Sequence, residues 1–276
     1  MKTMGATVST RNQVFTPPGR IRRGVIHTAV ITRRNLLRIA RLPQLLVMNI
    51  FQPLMFIIVF NYVFGGAIGQ ATGGDNYINW FLPGILVQTA LFGATATSVG
   101  ITEDLTAGVI DRFRSLPMAR SAVLMGRTIS DIFRNVVVNL LMIGLGTLMG
   151  FRIEQSWGEA VLAIALALGF GYSFSWVMAW VGLIAKTPET AMTAGFLPLF
   201  PLMFVSSIFV PTASMPDWLQ GFAENQPLSV LADTIRGLMT TGQYDSGDIL
   251  LSLAWIAGIL AVFVPMAVRT YRRTVA

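Results

Sequence analysis

The sequence contains no cysteine and a single histidine, His27. Disulfide frameworks, thiolate metal sites, a histidine-based catalytic triad and multi-histidine metal clusters are therefore excluded. Charge is scarce as well: Asp, Glu, Lys and Arg make up 12% of 276 residues, against roughly 25% in a soluble domain. Hydrophobic residues reach 54% and the mean hydropathy is +0.64, so water is not the main solvent of this chain. No phosphate loop of the form G-x-x-x-x-G-K-[ST] occurs, and no G-x-G-x-x-G stands between a strand and a helix. Nucleotide hydrolysis by the chain itself is not expected. Residues 1–20 are polar and carry no apolar core, so no secretory signal is expected there.

What is present is a series of uncharged runs of about twenty residues, each long enough to cross a bilayer as a helix. The expected fold is an all-α membrane protein with six transmembrane helices. The spans fall at about 45–64, 80–100, 128–150, 158–185, 191–210 and 249–268. Residues 1–19 read as a flexible tail, and 20–276 as one transmembrane domain without internal repeats. Residues 20–44 read as a basic amphipathic helix in the inner headgroup layer, with Ile21, Val25, Ala29, Leu36 and Ile39 on one side and arginines on the other. His27 lies within it and is taken as incidental. Pro53 is expected to bend the first span and Pro198 and Pro201 the fifth. Thr187 can cap the fifth, with Pro188 at its first position. Small residues from Gly93 onward, and Gly146 with Gly150, suit close helix contacts.

Two polar interruptions stand out. In the first, residues 103–127, Leu105, Val109, Phe113 and Leu116 recur at helical spacing, while Asp104, Asp111, Arg114 and Ser115 fall off that stripe. Pro117 disfavours continuation. This reads as a short amphipathic helix at the inner mouth of the bundle. The second, residues 211–247, carries helix starts at Met215-Pro216-Asp217 and at Gln226-Pro227. An apolar stripe of Leu228, Leu231, Ala232, Ile235, Leu238 and Met239 follows, ended by Gly242. Two short helices resting on or dipping into the outer leaflet are expected.

The net charge of +7 is not a nucleic-acid footprint, because nine basic residues and no acidic one precede Val47. With both termini inside, eighteen of the twenty Lys and Arg residues are cytoplasmic, and only Arg152 and Arg236 are outside. The basic helix is also suited to anionic membrane lipids. Ion-coupled pumps bury ionisable residues at membrane depth. Here the acidic residues are expected at span ends, and the spans to hold only Asn49, Gln52, Gln88, Asn139, Ser173, Ser175, Ser206 and Ser207 as polar groups. These either line a path for a large amphiphile or make interhelical hydrogen bonds.

The string GVIDRFRSLPM from Gly108, followed by Arg120-Ser121, resembles the membrane subunits of type-2 ATP-binding-cassette exporters. It is especially similar to the daunorubicin/doxorubicin-resistance permease group. Asn225-Gln-Pro-Leu228, with Arg236-Gly-Leu238 and Gly242, is similar to that group's second signature. The resemblance implies a permease in the bacterial plasma membrane, joined to two separate ATPase subunits and to a second membrane subunit, copy or paralogue. The chain itself would hold no cofactor and have no catalytic role; ATP and Mg would bind the partner. The resemblance makes Asp104, Asp111, Arg112, Phe113, Arg114 and Leu116 contacts of the ATPase. Asn49, Gln52, Gln88, Asn139 and Ser206 become candidates for the substrate path, and Pro227, Leu231 and Ile235 for an outer gate. The cargo would be amphiphilic drugs or lipid-like compounds; polysaccharide or glycolipid is the alternative. A self-sufficient carrier or channel, and a lipid-modifying enzyme built on Glu103, Asp104 and Asp111, are competing readings.

Overall fold

The computed structural model describes residues 30, 32–33, 37, 43–66, 77–107 and 120–274. The basic helix expected at 20–44 lies largely outside them, as do Asp111, Arg112, Phe113, Arg114 and Leu116. Eight α-helices occur among the described residues. They are α1 (Pro43–Val59), α2 (Tyr77–Thr106), α3 (Arg120–Leu148), α4 (Trp157–Ile184), α5 (Pro188–Phe204), α6 (Asp217–Asn225), α7 (Pro227–Arg236) and α8 (Ser246–Thr274). The chain is thus all-α, and four helices, α2, α3, α4 and α8, are long and apolar enough to cross a membrane.

The other two expected spans are also helical, the first over its expected bounds and the fifth over a shorter stretch. A π-helical turn, Phe60–Phe64, continues α1. Helix α5 has 17 residues, about 25 Å of rise against a hydrocarbon core of about 30 Å. It stops at Phe204, short of the expected 210, and the chain then turns. Pro198 and Pro201 lie inside α5, which runs past both. At its end the Gln226 side chain takes carbonyls that a continuing helix would bond, its Nε2 donating to Leu202 O at 3.2 Å and to Val205 O. Thr187 caps the start of α5 as expected, its hydroxyl accepting from Thr190 N at 3.2 Å.

Helix α2 is the centre of the bundle. Residues on every side of it are buried, from Phe81 and Leu82 through Gln88, Ala90 and Leu91 to Ser98 and Thr102. Helices α1, α3, α4, α5 and α7 all pack on it. Helix α8 is the opposite case: Leu250, Leu251, Leu253 and Val262 are exposed. Phe133, Val137, Leu140, Leu141 and Leu148 form a comparable exposed apolar stripe on α3. Such faces suit lipid or another apolar partner, not water.

Close approach to α2 depends on missing side chains, as the small-residue pattern suggested. A Cβ added to Gly182 of α4 would run into the backbone of Ser98. Thr102 Oγ1 donates to Gly182 O at 2.8 Å across the same crossing. The Gly146–Gly150 pair does not act as expected. Gly146 packs on Leu82, but Gly150, at φ +104, lies beyond the end of α3 and faces open space. It supplies a turn, not a helix contact.

The first polar interruption is also built differently. Glu103–Thr106 belongs to the end of α2, and Arg120–Arg127 to the start of α3. Leu105 packs beside Ile101, Trp176 and Leu183. Residues 108–119, the rest of that stretch, lie outside the described residues. Gly182→Val is expected to cost about 1–3 kcal/mol by overpacking the α2–α4 crossing. The measurement is the thermal midpoint of the purified chain in detergent. Gly144→Ala, at a glycine with nothing within 4 Å, should leave that midpoint in place.

Candidate site on the α2–α3 seam

Helices α2 and α3 run antiparallel, and polar side chains join them at successive levels. Arg127 Nη1 lies 3.1 Å from Asp104 Oδ2. One level further in, Thr97 Oγ1 donates to Asp131 Oδ2. Asp131 Oδ1 is 2.8 Å from Arg134 Nη1, and Arg134 Nη2 donates to Gly93 O. Beyond that, the Thr89 hydroxyl is 2.8 Å from Asn139 Oδ1. Asn135 fits into the space left by Gly93 and Gly171, neither of which could carry a Cβ without crowding it.

This seam corrects the expectation that the spans hold only neutral polar groups. The Asp131 and Arg134 side chains are 5% and 9% exposed. Asp131 meets α2 at Thr97 and Arg134 meets it at Gly93, about 14 and 20 Å from the Thr106 end at 1.5 Å per residue. The i, i+3 spacing of Asp131 and Arg134 signalled the pair, and the structure shows it buried against α2. A buried charge survives at such depth only when paired and hydrogen-bonded, and here each partner is both.

The seam opens on a cleft of about 240 Å³ between α1, α2, α3 and α5. Gln52, Thr89, Arg134 and Asn135 supply its polar wall, and Phe92 and Phe196 part of its apolar wall. The two phenyl rings are stacked, with centroids 5.2 Å apart. Of the substrate-path candidates, Gln52 lines this cleft. The side chain of Asn49 lies outside the described residues. Asn139 stands behind Thr89, its Nδ2 buried with no hydrogen-bond partner among the described residues. Gln88, on the next α2 position, is fully buried with neither amide atom partnered among them. Ser206 is remote from the cleft in role: its hydroxyl donates to Met203 O and accepts from Ile208 N, closing the turn after α5.

The candidate gate residues are core. Leu231 and Ile235 are fully buried together with Leu228, Ala232, Leu238 and Met239, the whole stripe expected from sequence. Pro227 opens α7 at its first position. The decisive residue of this region is Arg236, read from sequence as an outer charge and as part of the second signature string. Its Nε donates to Trp80 O at 2.8 Å and its Nη2 to Ser207 O at 2.9 Å. Its guanidinium lies 4.0 Å from the Trp80 ring centroid, and it pairs with Asp233. Gly242, at φ +66, then reverses the chain. Close by, Tyr244 Oη donates to Glu159 Oε1 at 2.6 Å, a bond that holds the Tyr244 hydroxyl above the usual phenol range.

Among the candidate ATPase contacts, Asp104 is described, and its carboxylate is engaged by Arg127 within the bundle. No group of three or more metal-ligating side chains occurs among the described residues. The cleft offers a guanidinium, amides, a hydroxyl and aromatic rings, a set fitted to binding.

Residues 27–240 match the family model for the ABC-2 type transporter. That stretch contains the first signature string, the second as far as Leu238, the seam and α7. The chain belongs to the ABC-2 type transporter family. It is similar to a daunorubicin resistance ABC transporter permease protein of Streptomyces coeruleorubidus, 35% identical over 87% of this chain and 83% of the relative. It is also similar to a probable doxorubicin resistance ABC transporter permease protein of Mycobacterium tuberculosis, 30% identical over 90% and 89%. The permease is a multi-pass membrane protein, and the ATPase activity that drives it belongs to a partner subunit.

Asp131→Ala in this ABC-2 permease would leave a buried guanidinium without its counter-charge, at an expected cost of about 3–5 kcal/mol. The double variant D131N/R134Q removes both charges and should lose clearly less, a non-additivity that thermal unfolding in detergent would read out.

Proposed function

We propose that the permease forms the membrane pathway of an ATP-driven exporter of amphiphilic, drug-like or lipid-like compounds. Two such membrane subunits, copies or paralogues, would sit on two ATPase subunits, which hold ATP and Mg. The observation that carries this reading is the cleft at mid-depth on the seam, where a few polar groups face stacked aromatic rings. An amphiphile matches that mixed lining. The names of the two similar permeases, which concern daunorubicin and doxorubicin resistance, support the same cargo class.

In this reading six segments cross the bacterial plasma membrane, α1 and α5 included, with both termini cytoplasmic. The charge asymmetry supports that orientation. Trp157, Trp218 and Phe222 are exposed on the opposite side of the chain's connectivity, where aromatic residues favour the headgroup layer. Helix α6, with Trp218 and Phe222 four residues apart, would rest on the outer leaflet. The firm packing of Leu231 and Ile235 supports a gate in which α7 moves together with the start of α2, not one in which single side chains swing.

ATP binding would close the ATPase pair and push on 103–127. Asp111, Arg112, Phe113, Arg114 and Leu116 would make the contact, with the Asp104–Arg127 pair relaying the push to α2 and α3. A second reading, a carrier working alone on an ion gradient, draws support from the buried Asp131. The pairing of that carboxylate with Arg134 weighs against it, since neither group stands ready to exchange an ion.

Co-expression with the ATPase tests the coupling. Arg112→Glu with Arg114→Glu should abolish the stimulation of ATP turnover by substrate while the permease still inserts. Stimulation at the unmodified level would exclude this stretch as the coupler. Because the chain has no cysteine, single cysteines report topology directly. A cysteine at Ser214 should label from outside intact cells, and one at Lys186 only after permeabilisation; the reverse pattern would invert the orientation.

A further inference from the structure

Helix α8 stands apart from the other long apolar helices. Only 6% of its most apolar stretch is buried, against 39% or more in α2, α3 and α4. It packs on α7 and α4 through one side, where Ser252 bonds Thr234 of α7 and Ala267 and Tyr271 join the buried cluster of Trp176 and Leu183. The opposite side is a column with two different halves. Trp255, Gly258 and Val262 follow one another at helical spacing and are exposed. A Cβ on Gly258 would meet nothing within 4 Å, so the column is notched between Trp255 and Val262. Two turns on, the same column ends in Arg269, Arg272 and Arg273, all exposed. We infer that this face of α8 is a binding site for an anionic phospholipid: the three arginines hold its phosphate, and an acyl chain lies along the notched apolar half. Such a site needs only that α8 crosses the bilayer, and is separate from the cleft and its cargo.

The three arginines are not used inside the bundle. Arg127, Arg134 and Arg236 are each ion-paired. Arg269, Arg272 and Arg273 have no ion pair or hydrogen bond among the described residues. The only acidic residue of α8 is Asp248, in its first turn, about 30 Å from Arg269 along the helix at 1.5 Å per residue. The bias of basic residues toward the inner side accounts for their sign. It does not account for their alignment with the exposed apolar residues, while Tyr271, between them in sequence, turns into the core.

The two halves of the column suit one molecule. A guanidinium fork can bond phosphate oxygens in pairs, and the stem of an arginine lies readily along hydrocarbon. A phospholipid brings phosphate and hydrocarbon together at that spacing. A second copy of the chain fits less well. In a two-fold contact through this face the same residues meet, which would set arginine against arginine.

Photolabelling tests the site. The full-length permease is reconstituted in phosphatidylcholine vesicles with a trace of phosphatidylglycerol or phosphatidylcholine that carries a diazirine in one acyl chain. After illumination, the label on α8 is measured by mass spectrometry. The phosphatidylglycerol probe should label α8 about tenfold more than the phosphatidylcholine probe, the scale of one or two arginines facing an anionic headgroup. In R269Q/R272Q/R273Q the ratio should fall to about one, with phosphatidylcholine labelling unchanged because α8 is still inserted. Arg152→Gln, at an exposed arginine outside α8, should keep the ratio. In the unaltered chain, raised salt should lower it, a readout that does not depend on how well the triple variant inserts. A ratio near one in the unaltered chain would overturn the inference, as would a ratio that survives the triple variant or ignores salt. Labelling of α8 by neither probe would overturn it too, because a protein would then cover the face. So would loss of the ratio on adding free glycerol 3-phosphate, which would make this a site for a soluble anion.

Discussion

The antiparallel contact between α2 and α3 is the constraint on which the other features rest. Helix α2 has no face left for lipid, because five other helices use its surface. A helix so placed must satisfy its polar groups within protein. It does so against α3, through Asp104 with Arg127, Thr97 with Asp131, Gly93 O with Arg134, and Thr89 with Asn139. Away from water such bonds are costly to leave unmade and hold their register for that reason. The same seam borders the cleft through Thr89, Arg134 and Asn135.

A second fixed point lies at the other end of α2. Arg236 ties the backbone of Trp80 to that of Ser207. Tyr77 Oη reaches Phe209 O at 3.0 Å. The rings of Phe60, Phe81 and Phe209 stack across α1, α2 and the turn after α5, with Phe60 and Phe209 centroids 5.0 Å apart. Gln226 caps α5 from the other side of that turn. The residues of the second signature thus have a physical meaning: Gln226 ends one helix, Pro227 starts the next, Arg236 clamps both to α2, and Gly242 turns the chain. Helix α2 is thus held at one end by an aromatic and arginine cluster and along the rest of its length by the charged seam.

The long helices were legible in the sequence because their apolar runs are long. The fourth span, expected at 158–185, is the helix Trp157–Ile184. The stripe on α7 was legible because its period is local: Leu228, Leu231, Ala232 and Ile235 need only helical spacing to be recognised. What was not legible depends on partners far along the chain. Arg236 bonds to residues 156 and 29 positions away; the second signature string marked it, but not the contacts that it makes. Helix α2 shows no stripe, since all its faces are buried, so its neighbours could not be inferred from it. The end of α5 was misplaced because the cap that stops it is Gln226, 24 residues beyond Leu202. The contacts of Asp131 with Thr97 and of Arg134 with Gly93 were not legible because they join residues far apart in the chain.

All of these parts belong to a pathway whose energy comes from elsewhere. The chain lacks a phosphate loop, and its buried charges neutralise one another. The most direct measurement is efflux of an amphiphilic fluorophore from proteoliposomes holding the purified permease, with and without its ATPase subunit, under ATP and under imposed proton or sodium gradients. Efflux only when the ATPase and ATP are both present is the expected result. Efflux by the permease alone under an ion gradient would contradict it, and would make Asp131 a working ionisable group instead of half of a structural pair.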